Sequence, residues 1–240
     1  MDRITREKII KRGLSLGASG VGIVPVDLLR DAPSHRRYAM DLLTYAGRTA
    51  IVLALEHPRE QPEMDWWDSW QGGTPGNRRQ INISHRLVKW LRKKYTIEAV
   101  DLPYQVERNG IFLKDAAILA GLGVMGRNNL LITPCHGPRV RLKALRIDLF
   151  IPATASPEGF DPCNECPAPC LHACPQDAFA SGFYDRERCQ LQMKADEADP
   201  IALRSPVVGM PTKFKVAYCR QCELACPAGG STAPQLGVSP

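Results

Sequence analysis

No apolar run in these 240 residues approaches the ~20 needed to span a bilayer. The opening, Met1-Asp2-Arg3-Ile4-Thr5-Arg6-Glu7-Lys8, lacks the apolar core of an export signal. Together these absences exclude a membrane-spanning class and lead us to expect a cytoplasmic protein with no membrane partner. A complete set of disulfide partners is also lacking, because the nine cysteines are an odd number. A chain this long can bury a core without such staples, and 44% hydrophobic composition suffices for one full domain and a smaller one.

What is present is a concentration of thiols. Eight of the nine cysteines lie between Cys163 and Pro227. The stretch reads C-N-E-C-P-A-P-C-L-H-A-C-P, then Cys189, then C-R-Q-C-E-L-A-C-P. Bacterial ferredoxins hold pairs of four-iron clusters in short runs whose last cysteine precedes proline and serves the other cluster. That crossover predicts one [4Fe-4S] cluster on Cys163, Cys166, Cys170 and Cys226, and a second on Cys174, Cys189, Cys219 and Cys222. Pro167-Ala168-Pro169 puts three residues where the usual run has two, so this turn is expected to bulge, stiffened by its prolines. Tetrahedral zinc also suits paired C-x-x-C units, but it gives no reason for both runs to end in Cys-Pro.

The formal charge of +6 is unevenly spread: residues 1–150 carry 24 Lys and Arg against 15 acids, and residues 151–240 carry 7 against 10. Each oxidised cluster with its thiolates adds about −2 by valence counting, so the second region is more acidic than its side chains alone. The basic first part could hold phosphate or nucleic acid, but groups such as Arg36-Arg37, Arg78-Arg79 and Arg92-Lys93-Lys94 sit on helical or loop stretches and read first as solvated faces.

Taken in order, Thr5 caps a first helix that stops at Gly17. Residues 20–25 form a short buried strand closed by proline. Residues 27–46 are helical with a break at Ala32-Pro33. Thr49 to Leu55 is a continuous apolar strand of the kind covered on both faces. A long loop, residues 56–77, holds Trp66, Trp67 and Trp70, which either stack on a flat cofactor or substrate or pin the loop to the body. Ile81, Ser84, Val88, Leu91 and Tyr95 mark the inner face of a helix over 78–95. Residues 97–102 and 140–149 alternate as half-wet strands. Residues 151–161 read as a linker, 190–218 as a surface excursion, and 228–240 as a loose tail.

A helix over 111–120 leads into Gly121-Leu122-Gly123-Val124-Met125-Gly126-Arg127-Asn128-Asn129 and a strand to Pro134. The glycines spell G-x-G-x-x-G, but a dinucleotide site needs the strand before them and the helix after. Here the order is reversed, so these glycines cap a helix and let backbone approach something closely. Cys135 and His136 are either a thiolate, proton donor or metal ligand, or a small buried hydrophobe beside a hydrogen-bonded imidazole. Tyr104 and Asp115 are weaker candidates.

Helix, A-G-L-G-x-x-G-R-N, strand, a proline-glycine turn around Gly137, a linker and then two cysteine runs ending in Cys-Pro: this combination resembles the epoxyqueuosine reductase family and its shorter double-cluster relatives. The resemblance implies an α+β protein. A nitroreductase-like α/β domain over residues 1–150 would hold a cobalamin and the substrate, followed by a ferredoxin-like domain over residues 151–240. Low-potential electrons, from a ferredoxin or flavodoxin, would pass through two [4Fe-4S] clusters to cobalt and on to a small-molecule or corrinoid-protein substrate. Gly121, Gly123, Gly126, Arg127, Asn128 and Asn129 would approach the corrin as the cofactor-binding loop.

Three departures stand against this. Leu113 occupies the position of the family's proton-donating acid, with Asp115 on another helix face. Cys135-His136-Gly137-Pro138 replaces an acidic-aromatic-glycine-small pattern, and the chain stops fourteen residues after Cys226, short of the helical-repeat region of members acting on transfer RNA. They weigh against transfer RNA as the substrate and leave the catalytic residue unassigned. The alternative is an electron-transfer protein that serves a partner, for example a corrinoid protein, without substrate chemistry of its own. A flavin in the same cleft is a third reading, for which the sequence carries no dedicated phosphate motif.

Overall fold

The apolar run at residues 49–55 becomes the centre of a sheet. In the computed structural model, which describes residues 3–38, 48–68, 70–71, 73–203 and 213–229, β2 (Thr49–Glu56) pairs antiparallel with β1 (Gly20–Pro25) and with β6 (Val140–Ile147). β3 (Ala99–Asp101) joins the far edge of β6, for the order β1-β2-β6-β3. Side chains alternate across a strand, so Ile51, Leu53 and Leu55 enter one apolar layer and Ala50, Val52 and Ala54 the other. The run has no polar alternation because neither face meets water.

One layer is closed by α1 (Arg6–Ser15) and α4 (Pro75–Tyr95), which contribute Ile9, Ile83, Leu87 and Leu91. The other is closed by α2 (Val26–Leu29) and α5 (Leu113–Leu119), with Leu29, Ala116 and Ala117. Local chemistry sets the helix ends. The Thr5 hydroxyl accepts from the Lys8 amide at 3.4 Å, and the Thr74 hydroxyl accepts from Asn77 at 3.1 Å, with Pro75 in the first helical turn. Gln80, buried on α4, donates to Leu53 O at 3.1 Å and to Arg141 O at 2.6 Å, tying the helix to the two central strands.

Between α2 and α5 lies α3 (Pro33–Arg37), preceded by the extended Ala32 that the proline enforces. The Ser34 amide donates to Asp115 Oδ2 at 2.8 Å and the Ser34 hydroxyl to Oδ1 at 3.2 Å, so Asp115 caps this helix from across the core. Residues 39–46 of the expected helical stretch lie outside the described residues.

Several expectations need correction. The buried side of α4 (Pro75–Tyr95) is Gln80, Ile83, Ser84, Leu87, Val88 and Leu91, while Ile81 and Tyr95 are only partly buried, because packing on β2, β3 and β6 selects the inner face. β6 does not have one wet side: Lys143 is 9% exposed, with Nζ 2.7 Å from Asp101 Oδ2 and donating to Leu102 O at 2.8 Å. Only residues 99–101 of the 97–102 stretch pair as a strand. The supposed excursion after Cys189 starts as a helix, α7 (Arg186–Ala198), which carries Cys189 itself, followed by the hairpin β7 (Ile201–Leu203) and β8 (Lys213–Lys215). Residues 204–212 and the tail from 230 lie outside the described residues.

The molecule is thus a mixed helix-and-sheet protein. Among the described residues no helix is long and apolar enough to cross a membrane.

Candidate metal centres

The cysteine segment folds by tight turns. Cys163 and Cys166 sit in a turn where the Asn164 amide donates to Asp161 Oδ1 at 3.2 Å. At the three-residue detour the buried Ala168 adopts φ 54°, ψ 48°, a left-handed conformation that costs an L-residue roughly 1–2 kcal/mol. That turn aims the short helix α6 (Pro169–His172), and with it Cys170, inward, where Cys170 packs with Cys226 and Ile132. The second run forms α8 (Gln221–Leu224), carrying Cys222 between Cys219 and Cys226.

The eight thiols sort electrostatically into two quartets. Burial, then the charges of Cys226, Cys163 and Cys166, raise the pKa of Cys170. Burial, then the charges of Cys219, Cys189 and Cys174, push Cys222 up to about 12. Neighbouring thiolates oppose one another's ionisation unless a cation lies among them; iron reverses that logic and takes each as a thiolate. Among the described residues no three His, Cys, Asp or Glu side chains converge closely enough for a single ion. Cys170 and Cys226 are buried, whereas Cys219 is exposed beside a cleft of about 470 Å³ lined by Trp66, Gln192, Asp196, Tyr218 and Arg220 among others.

The glycine loop lies against both runs. Arg127 donates to Cys166 O at 3.4 Å, and the buried Asn128 amide donates to Cys222 O at 3.2 Å. Asn129 O accepts from Lys114 Nζ at 2.7 Å. A Cβ on Gly121 would stand 2.2 Å from Ala155 O, and one on Gly123 would stand 2.0 Å from Ile132 O. The close approach these glycines permit is therefore to the chain's own backbone. For a corrin the fit is partial, since those two positions form no open cradle and the exposed edge of the loop belongs to Met125 and Arg127.

Sequence reasoning missed the polar hub beneath the second run. Asp65 Oδ1 lies 2.7 Å from His57 Nδ1 and 2.9 Å from Arg141 Nε, and Oδ2 lies 2.6 Å from Arg220 Nη1. Glu223, 4% exposed, bridges Arg141 at 2.9 Å and also pairs with Arg220. Burial works against the Asp65 charge, but the hydrogen bond from His57 and the two guanidinium groups outweigh it and hold the carboxyl below its ordinary 3.8. Only the position of Arg220 inside C-R-Q-C could have hinted at this, since its partners are distant in sequence.

The remaining candidates fall elsewhere. His136 Nδ1 lies 3.1 Å from Glu56 Oε1, and Cys135 is half-buried in the same turn. Asp115 is buried as a helix cap, and Tyr104 is exposed. Trp67 pairs through its backbone with Val216 and stacks against Gly73, while Lys215 lies over Trp66 at 5.8 Å. Trp66 and Trp67 thus tie the long loop to the cysteine segment, and Trp70 stays exposed.

No family model matches the chain. A protein of Synechococcus sp. (strain RCC307) named epoxyqueuosine reductase is 28% identical over 196 residues, covering 80% of this chain and 58% of that relative. Other curated relatives of the same name are matched over 30–39% of their length. The solved structure of epoxyqueuosine reductase from Streptococcus thermophilus superposes with a TM-score of 0.64 at 20% identity, over 98% of this chain and 69% of that one. A reductive dehalogenase, whose structure is described as suggesting a mechanism for B12-dependent dehalogenation, gives 0.53 at 24% identity, over 72% of this chain and 25% of that one. The chain therefore spans only part of the curated relatives it matches. In sequence it is similar to proteins named epoxyqueuosine reductase, and it shares their fold.

Proposed function

We propose that the chain is an iron–sulfur reductase that carries electrons one at a time through two [4Fe-4S] clusters to a cobalamin. The grouping of eight thiols into two quartets, bridged by Arg127 and Asn128 of the glycine loop, supports this most strongly. In this reading residues 1–150 form a nitroreductase-like domain and residues 151–240 a ferredoxin-like one. Cys163, Cys166, Cys170 and Cys226 hold the first cluster; Cys174, Cys189, Cys219 and Cys222 hold the second.

The chain's own groups have definite work. Burial of Cys170 and Cys226 gives the first cluster a buried side, whereas exposed Cys219 offers a low-potential ferredoxin or flavodoxin a short path to the second. Arg127 and Asn128 hold a carbonyl of each run against the loop, which fixes the clusters relative to the sheet. Cobalamin, when bound, supplies a strongly reducing and nucleophilic cobalt that side chains cannot provide. The exposed edge of the loop at Met125 and Arg127 is where its face would rest.

A second reading, an electron carrier for a partner such as a corrinoid protein, draws on one observation. Leu113 stands where an acid would serve as proton donor, and the nearby Asp115 is committed to Ser34. Anaerobic purification with cobalamin supplied, followed by iron, zinc and cobalt analysis and optical spectra, separates the readings. About eight irons per chain with one cobalt and corrin bands support the reductase; iron alone supports the carrier, and zinc or no iron refutes both. Turnover assays on the loaded protein should include epoxyqueuosine in transfer RNA, beside small-molecule and corrinoid-protein substrates.

A further inference from the structure

Arg139 is a buried cation among the described residues without a carboxylate ion pair. Its side chain is held inside the turn after Gly137, and the residue is 8% exposed. Nη2 donates to Ala228 O at 3.0 Å and to Gly229 O, and Nη1 is buried with no hydrogen-bond partner. These carbonyls lie two and three residues beyond Cys226, and Arg59 reaches the same segment by donating to Cys226 O at 3.4 Å. Carbonyl dipoles alone compensate a buried guanidinium poorly, and such a charge ordinarily finds an anion. The nearby carboxylates are engaged elsewhere, Glu56 with His136 and Glu223 with Arg141 and Arg220.

The second run is built differently. Arg220 sits between Cys219 and Cys222, but Asp65 and Glu223 take up its charge. Another carboxylate, Asp196, accepts from the Cys219 amide at 2.7 Å. One quartet thus lies beside a cation with no direct carboxylate contact, whose charge is favoured at longer range by Cys226, Glu223 and Glu56, and the other lies among directly paired or negative groups.

We infer that Arg139 is the countercharge of the cluster on Cys163, Cys166, Cys170 and Cys226, and that it sets this cluster's reduction potential above that of the other. The inference rests on the two-cluster reading. Adding an electron makes a cluster more negative, so a fixed cation nearby favours its reduced form. The step balances simply: the second cluster, reduced by one electron from a low-potential ferredoxin- or flavodoxin-class donor, gives that electron to the first and returns to its oxidised state. Charge placement in the protein thereby gives electron flow a direction, from the exposed Cys219 side to the buried Cys170–Cys226 side.

The test is a redox titration of the anaerobically purified full chain, followed by electron paramagnetic resonance, on wild type and on Arg139→Gln, Arg139→Met and Arg139→Lys. The neutral variants should lower one midpoint, the higher of the two, and leave the other in place. For a charge within about 12 Å at an effective dielectric near 20, the shift is about tenfold in the reduced-to-oxidised ratio, or about 59 mV for one electron. Arg139→Lys, which keeps the charge, should retain most of the wild-type value. If both neutral variants lose the first cluster while the lysine variant assembles it, the charge requirement stands. Unchanged midpoints in the neutral variants, or loss of the cluster in all three, would overturn the proposal. A wild-type protein without two cluster signals refutes the underlying two-cluster reading instead, which the iron count reveals before any variant is made.

Discussion

The sheet and the cysteine segment are stabilised by different means. Around β2, two apolar layers bury residues such as Ile23, Ile51, Leu87, Leu91 and Leu145 completely. Among the described residues of 163–229 the buried apolar side chains are Ala168, Cys170, Ala178, Phe179 and Cys226, with Cys170 and Cys226 packed on Ile132 outside the segment, and α7 buries no residue at all. The first region carries its own driving force in hydrophobic area. The second depends on what it is tied to: the Asp65 hub, the Arg127 and Asn128 contacts, the Arg139 contacts and, on the proposed reading, the clusters its thiols would hold. A segment so poor in core has a low local unfolding free energy unless a ligand is counted in.

The sharpest break of this comparison is removal of iron. In the apoprotein, hydrogen exchange read by mass spectrometry should show residues 163–198 and 213–229 losing nearly all protection, while β1, β2, β6 and α4 retain theirs. Equal protection of both regions without metal would mean that the segment is self-supporting and that the contrast drawn here is wrong.

A smaller effect comes from the hub. Asp65→Ala leaves Arg141 and Arg220 buried without their shared carboxylate, and breaking a buried network in this way costs about 3–5 kcal/mol. The loss should appear in denaturant unfolding of the iron-loaded protein and, because Arg220 belongs to the second run, as faster release of iron. A change below about 1 kcal/mol would place the hub among surface ion pairs in energetic terms.

The smallest effect belongs to the sheet region alone. Burial disfavours the Asp115 carboxylate, but the His35 imidazole 3.8 Å away and the hydrogen bonds from Ser34 outweigh it and hold the pKa below 3.8. A depressed folded-state value means that this stability is fully present above the unfolded pKa and is lost as pH falls through the folded one. Asp115→Asn should therefore cost stability at pH 7 and flatten the acid limb below about pH 4, measured by thermal unfolding across pH. An unchanged acid limb would show that Asp115 contributes no pH-dependent stability.

Much of the sheet was legible because its signals are local. A run such as Thr49 to Leu55 has one way to bury every side chain, and Thr5, Thr74 and Pro33 set helix ends through atoms a few residues away. The register of α4 was less legible, since Ile81 and Ile83 are equally apolar and only contact with β2 and β6 selects Ile83. The capping role of Asp115 is not legible for a similar reason: its partner Ser34 lies 81 residues earlier.

The candidate site divides along the same line. Cysteine spacing is a statement about short loops, so the sequence by itself determined the two runs, the three-residue detour Pro167-Ala168-Pro169 and the thiol donor set. Tertiary structure decided how those runs are held and what charges surround them. Asp65, Arg141, Arg220 and Glu223 meet across up to 158 residues, and Arg139 reaches the carbonyls beyond Cys226 across 89 and 90. Electrostatic energy depends on distance in space and on burial, and neither is written in the spacing of residues along the chain.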